Sequence, residues 1–509
     1  MRKNANVRVD LFFLAALVLA GFLLFKNLGN VYFWEDEAET ALLGRSILQR
    51  GYPSGFDGVN RLKPILGMYS DYWIYHPWLS FYCVAASFRF FGENTFTGRF
   101  PFALFGLGSI VLTYCLARKI YPEKRIAQVT SLLLVFSVPF LVLMRQCRYY
   151  APTLFFSLWA MIAFLQFLKK ERFSSTWLFF AAAALYFTNN GMWIPLIAVQ
   201  LVYTLLFVRD REVTRRYLRV LLCNLLLAIP WFVLSQTWSL GAHPTMQHSW
   251  KNLEYYIRVI NKFIIPLGFW ILLFALLGCC QKLAKKKTAG VFLQGIGKNL
   301  RNGSSWLLVL WVTITLGFLI FVEQRHFRYL VAILPALLML QAVLLEPLIG
   351  SRLKAIGVVI LLALLLTNGL NSPQHFRSPI LDYLYEITHD YDGPNEGIVL
   401  YLKEHAKPLD TVKLMYEDSP VMFYTGLKVD NRWYTEEETC PEWIIPRRPW
   451  AEEEFWNSEY YVKIQERYER IELNYSDIQW ENREEPGGYN FETAKEAPKV
   501  IVFRRKDRS

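Results

Sequence analysis

Three consecutive acids, Glu35, Asp36 and Glu37, open the stretch Trp34–Pro53 (WEDEAETALLGRSILQRGYP), directly after the first apolar run at Leu11–Leu28. They stand where the chain would leave a bilayer, and a carboxylate there is costly unless hydrated, paired or useful. The stretch reads as a helix that stops at Gly51, with Pro53 just beyond. At about 100° per residue, Asp36, Glu39 and Thr40 share one face, and Glu37 points roughly a quarter-turn away. A capping box, with Asp36 as N-cap and Glu39 at N3, is the bland explanation. A carboxylate kept to accept a proton is the chemical one.

Basic groups recur at three further places. Lys63 and His76 lie in the same loop as the acids, with Arg61 nearby, and are candidates for the basic half of a phosphate site. The aromatics around His76 read as an interfacial belt. The turn MRQCRYYAP carries Arg145, Arg148 and Tyr149 between two apolar runs, and EQRHFRYLVAILPALL carries Arg325, Arg328 and Tyr329. Cations of this kind either snorkel to headgroups or hold a partner, a phosphate oxygen or the Asp36 cluster. Together the residues suit one reaction. The cations bind a lipid phosphate and stabilise it as it leaves, and the carboxylate takes the proton of an incoming hydroxyl or amine.

Elements able to position such groups follow from the composition. The chain has 509 residues, 54% hydrophobic and 16% aromatic, with a mean hydropathy of +0.21. Its apolar runs, at 11–28, 99–117, 126–144, 152–168, 175–190, 192–208, 218–234, 263–280, 305–322, 329–346 and 355–370, predict about eleven spans of an α-helical polytopic membrane protein. No small-residue cleavage site follows the first run, so a retained span is expected. With a cytoplasmic N-terminus, every inner loop is basic, and all the acidic and basic clusters above fall on the outer face. The run Tyr75–Phe91 would invert this order and is expected to lie flat on the surface.

The spans place residues 1–370 in a transmembrane domain whose first outer loop runs from 29 to 98. Residues 371–509 form an extracytoplasmic domain, which holds more than half of the acids and under a third of the bases. The net charge of +12 thus averages a basic inner face with an acidic outer domain, and nucleic-acid binding is not implied. In that domain helices are expected at 395–406 and near SPVMFYTGL, with strands at DTVKLMYE, WIIP and KVIVFRR, a small α/β layer. The seven cysteines, and the pair His243 and His248, show no metal-ligand or disulfide spacing.

Several of these motifs, in this order and on this face, resemble the GT-C membrane glycosyltransferases, in the branch of the protein O-mannosyltransferases and the lipid A aminoarabinose transferases. They are Asp36-Glu37 after the first span, a helix ending at Gly51 and Pro53, His76-Pro77, FGENTFTGRFPFALFG, Arg148-Tyr149-Tyr150 and RYLVAILPALL. The resemblance implies a polyprenyl- or dolichyl-phosphate sugar donor, an inverting transfer and Asp36 as base with Glu37 beside it. It implies no metal, although oligosaccharyltransferase relatives use a divalent cation. Expected donor contacts are Lys63, His76, Arg145, Arg148, Arg325 and Arg328, with Glu39, Tyr149 and Tyr329 lining the site. Glu39 and His76-Pro77-Trp78 depart from the aminoarabinose pattern, so transfer to lipid A is not supported. A bacterial inner (plasma) membrane is the expected location, with the acceptor, a glycan, lipid or protein, left open. A lipid-linked saccharide transporter is the alternative, though the chain lacks the internal repeats and charged mid-membrane helices that transporters show.

Overall fold

A computed structural model of the chain describes residues 10–62, 71–235, 246–284, 294–297, 299, 303–351, 353–414, 416–431, 440–449, 451, 453–478 and 497–508. Lys63 and His243 lie outside these residues, as does the side chain of His248.

The first third of the chain supplies the helices that matter for the site. These are α1 (Leu11–Phe25), α2 (Glu35–Arg50), α3 (Leu79–Phe91), α4 (Thr95–Ile120), α5 (Lys124–Val135), α6 (Val138–Met144) and α7 (Tyr150–Leu168). α2 begins with Trp34 as its N-cap and with no side-chain cap, so the capping box on Asp36 and Glu39 does not form. Asp36 and Glu39 are already inside the helix, and their carboxylates are left for other partners. The helix ends as its sequence predicts: Gly51 adopts a left-handed φ of +84° and donates its N–H to the Ile47 carbonyl. α2 packs closely on α3 because Gly44 has no Cβ; one would stand 2.6 Å from Val84 Cγ1. α4 starts with a capping box between Asn94 and Thr97.

Among the described residues, five helices are long and apolar enough to cross a membrane: α4, α7, Asn190–Phe207, Arg211–Ser235 and the continuous Phe327–Ile349. Two bent pairs raise this to seven, α5 with α6 at 65° and Ser249–Phe263 with Leu267–Leu276 at 76°. These helices cover seven of the eleven expected spans. Four of the expected spans correspond to apolar helices shorter than a full crossing: α1, Ser174–Tyr186, Gly303–Leu319 and Lys354–Leu366. α3 is also short, with 13 residues or about 20 Å of helix. The apolar helices make this an integral membrane protein.

Among the described residues the C-terminal part carries a mixed five-stranded sheet of β1 (Thr411–Leu414), β2 (Lys428–Asp430), β3 (Trp443–Ile445), β4 (Tyr468–Ser476) and β5 (Lys499–Arg505) in the order β2-β1-β3-β5-β4. β1 runs parallel to β2 and β3, while β5 is antiparallel to β3 and β4. The helices Pro394–His405 and Asp418–Thr425 pack on the sheet, and the second of them also packs on α2. One apolar core runs through both parts of the chain: the Phe33 ring meets the Phe423 ring edge-on at 5.3 Å.

Candidate active site at the start of α2

The first turns of α2 carry four acids, Glu35, Asp36, Glu37 and Glu39, in three different surroundings. Glu35 faces the C-terminal part, where its carboxylate accepts from the Ser419 N–H (3.1 Å) and Oγ (2.7 Å). Glu37, 0% exposed, takes the opposite environment. It accepts from Arg99 Nε (2.8 Å) and Nη2 (2.5 Å) and from the Cys147 N–H (2.7 Å). Arg99 also donates to the Leu28 and Val31 carbonyls, so this pair ties α2, α4, the end of α1 and the turn before α7 into one unit. A bidentate buried pair this short is fixed.

Asp36 is different. Its Oδ2 stands 3.4 Å from Arg148 Nη2 and 3.4 Å from Arg328 Nη1, and the side chain keeps 22% of its exposure. Charge-assisted hydrogen bonds are normally about 2.7–2.9 Å. The contacts of Asp36 are therefore loose, and its carboxylate can exchange them for another partner. Arg148, 5% exposed, also donates to the Asp36 carbonyl (3.0 Å), Thr40 Oγ1 (3.0 Å) and Glu39 Oε1 (3.2 Å). Arg328 donates to the Tyr150 hydroxyl at 3.1 Å. Tyr149 lies under Arg148 at 5.3 Å, and Tyr329 meets the His326 ring at 5.4 Å.

His76 stacks on Tyr149 at 5.5 Å. Burial, with Arg148 and Arg328 beside it, pushes its imidazole down to about 3, so the ring is neutral at ordinary pH. Its buried Nδ1 has no partner among the described residues. His76 thus joins the cluster as an uncharged group instead of the cation its sequence suggests. Burial, only partly offset by Arg148, pushes Glu39 up to about 7.

The structure therefore brings together Asp36, Glu39, His76, Arg148, Tyr149, Arg328 and Tyr329. It does not bring Arg145 or Arg325 into contact with Asp36. Arg145 donates to the carbonyls of Leu23, Leu24, Lys26 and Asn27 at 2.8–3.2 Å and so caps the end of α1. Arg325 is exposed, with its guanidinium 5.8 Å from the Tyr255 ring. Arg61 pairs with Asp71 on the surface at 3.2 Å. Sequence reasoning missed Arg99, Thr40 as a ligand of Arg148, Tyr150 and Ser419. Arg99 had a usable signal, an arginine one turn into an otherwise apolar helix. Among the described residues no group of three or more His, Cys, Asp or Glu side chains could hold a metal ion.

Known proteins resemble this chain in sequence over part of its length and in fold over most of it. The family model "Dolichyl-phosphate-mannose-protein mannosyltransferase" matches residues 75–234, which include His76, Arg99, Arg148 and Tyr149. An uncharacterized protein of Aquifex aeolicus (strain VF5) is 29% identical over 187 residues; the match covers 35% of this chain and 34% of the relative. The chain thus spans about a third of that relative's length. Among solved structures, ArnT from Cupriavidus metallidurans aligns over 97% of both chains at 14% identity, with a TM-score of 0.59 in the apo state and 0.57 bound to undecaprenyl phosphate. The Archaeoglobus fulgidus oligosaccharyltransferase, in complex with Zn and sulfate, aligns over 82% of this chain and 62% of its own, at 12% identity and a TM-score of 0.51. The chain shares the fold of these proteins.

Proposed function

We propose that the protein is an inverting glycosyltransferase that moves a sugar from a polyprenyl-phosphate carrier to an acceptor outside the cytoplasm. The observation that carries this reading is the loose bridge of Asp36 between Arg148 and Arg328 at a partly open position. In the donor, the anomeric carbon is bonded to a phosphate oxygen. An acceptor hydroxyl or amine attacks that carbon from the opposite face, its proton passes to Asp36, and the carbon–oxygen bond breaks to release the polyprenyl phosphate. Arg148 and Arg328 move from Asp36 to the phosphate oxygens and stabilise the charge that grows there. This frees the Asp36 carboxylate to take the proton.

Other residues hold this pair in place. The Glu37–Arg99 pair fixes the helix that carries Asp36, so we assign Glu37 a positioning role. His76 and Tyr149 form an uncharged wall beside Arg148. The match over residues 75–234 to a family named for dolichyl-phosphate-mannose, and the undecaprenyl phosphate in one ArnT structure, both support a lipid-phosphate carrier. In this reading the N-terminus is cytoplasmic, and the site faces outward with the C-terminal sheet.

The test is Asp36→Asn, purified with the wild type from native membranes and measured by native mass spectrometry and transfer assay. The variant is expected to retain a polyprenyl-phosphate sugar, whose mass names the sugar, while turnover falls about 10²–10⁴-fold. Turnover at the wild-type rate by the Asn variant would overturn the assignment.

A further inference from the structure

The bend between α5 and α6 has a structural cost and a result. Phe136 and Ser137 interrupt the helix, Pro139 restarts it in a new direction, and the two segments diverge by 65°. The bend leaves a cavity of about 440 Å³ beneath it, closed by Phe327–Ile349, Lys354–Leu366 and the segment 367–380. This volume lies within the ~300–1,000 Å³ typical of small-ligand sites. None of the residues that line it belongs to the Asp36 cluster.

The lining is divided by polarity. Leu133, Leu338 and Leu364 form an apolar wall, whereas Lys262, His375 and Arg377 supply nitrogen donors and, among the described residues, no carboxylate lines the space. Arg377 also pairs with Asp382 at 2.6 Å. The decisive group is Gln341, on the Leu334–Ile349 helix. It is 1% exposed, it lines the cavity, and neither its Nε2 nor its Oε1 has a partner among the described residues. Buried amides left unpaired are costly. A bare hydrocarbon chain would leave this one unpaired.

We propose that the cavity is a binding site, separate from the Asp36 cluster, for one anionic acyl lipid. Its hydrocarbon lies against the leucines, its ester or hydroxyl oxygens meet Gln341, and its anionic head group meets Lys262, His375 and Arg377. The cavity lies one ring contact away from the segment that carries Arg328. Phe263 lines the cavity, and its ring meets Phe327, the residue before Arg328, at 5.9 Å. Two sources share this chemistry, a resident phospholipid and a lipid that itself receives the sugar.

The test uses the delipidated full-length protein, incubated with phosphatidylglycerol or phosphatidylcholine and measured by native mass spectrometry. The wild type is expected to retain one phosphatidylglycerol at least about tenfold more tightly than phosphatidylcholine. Leu364→Trp fills the cavity from its half-buried wall, and Lys262→Glu reverses a charge; each should reduce retention about tenfold. Gln341→Leu keeps the shape, so it guards against loss of fold. It should lower retention and also raise Tm in the lipid-free protein, because it removes the unpaired amide. Equal retention by the wild type and all three variants, or equal retention of the two lipids, would overturn the proposal. Adding sugar donor separates the sources. A retained lipid that gains the mass of one sugar is an acceptor, and one of unchanged mass is resident; either keeps the site. The binding readout needs no turnover, so it stands or falls independently of the role of Asp36.

Discussion

The carboxylate of Glu35 accepts two hydrogen bonds from Ser419, a residue 384 positions later, and the next side chain along the helix is Asp36. The C-terminal part is thus a direct support of the candidate base. Ser419→Ala removes the shorter of the two bonds, worth about 1 kcal/mol. Turnover is expected to fall about fivefold, with donor KM nearly unchanged and Tm lower by a few degrees. Steady-state kinetics with a thermal melt checks this, and Ser419→Thr should restore both values.

Burial, then the adjacent Asp418 carboxyl, pushes Glu35 well above the usual carboxylate range. The sign follows from linkage. Protonated Glu35 stabilises the fold below its unfolded value near 4.5, and that contribution is lost as pH rises through its raised folded value. Wild-type Tm should therefore fall toward alkaline pH more steeply than that of Glu35→Gln. Parallel melts from pH 5 to 9 decide the matter; identical slopes would remove Glu35 from the account.

Glu37 and Arg99 form a buried pair, and removing one partner leaves the other charge unpaired at about 3–5 kcal/mol. Glu37→Gln and Arg99→Met are each expected to yield little folded protein. The double variant should recover a monodisperse peak in size-exclusion chromatography. Recovery of that kind identifies the pair as architecture, since a group needed for the chemistry would not be rescued by losing its neighbour.

Two arginines three residues apart should respond differently. Arg328 touches Asp36 and Tyr150, whereas Arg325 is exposed over Tyr255. Arg328→Ala is expected to reduce kcat/KM for the donor by about 10²-fold, the loss of a charged hydrogen-bond donor worth up to ~3 kcal/mol. Arg325→Ala should stay within about twofold of the wild type in the same assay.

Glu39 titrates near 7 and shares Arg148 with Asp36. Above that pH its carboxylate is charged, competes with a phosphate for Arg148 and repels it. Donor KM should rise several-fold between pH 6 and 8 in the wild type. Glu39→Gln should flatten the profile, and a variant with the wild-type profile would show that another group sets it.

The site was legible where the sequence placed charge against the grain of the membrane. Asp36 and the arginines in turns between apolar runs stood out because a bilayer edge penalises them without a partner. What spacing could not provide was the identity of each partner. Arg145 and Arg148 look alike in MRQCRYYAP, yet one caps α1 and the other holds Asp36. His76 reads as a cation until its burial beside two guanidiniums is seen. In the C-terminal part, three of the five strands were readable as apolar runs. β2 has only three residues and β4 is mostly exposed, so neither carries a clear alternating pattern. Each of the eleven apolar runs became a helix or a bent helix pair, but a run sets only composition, while bends and early helix ends set the length available to cross.

The contacts between the segment around α2 and the C-terminal part set a sequence of events in biosynthesis. The Asn60 amide donates to the Leu427 carbonyl and its Oδ1 accepts from the Val429 N–H, while the Tyr424 hydroxyl accepts from the Phe33 N–H. These residues are made hundreds of codons apart. The segment that carries Asp36 is made early and stays without these partners until the last fifth of the chain has been synthesised. The supports of the candidate site are therefore incomplete for most of the chain's time on the ribosome.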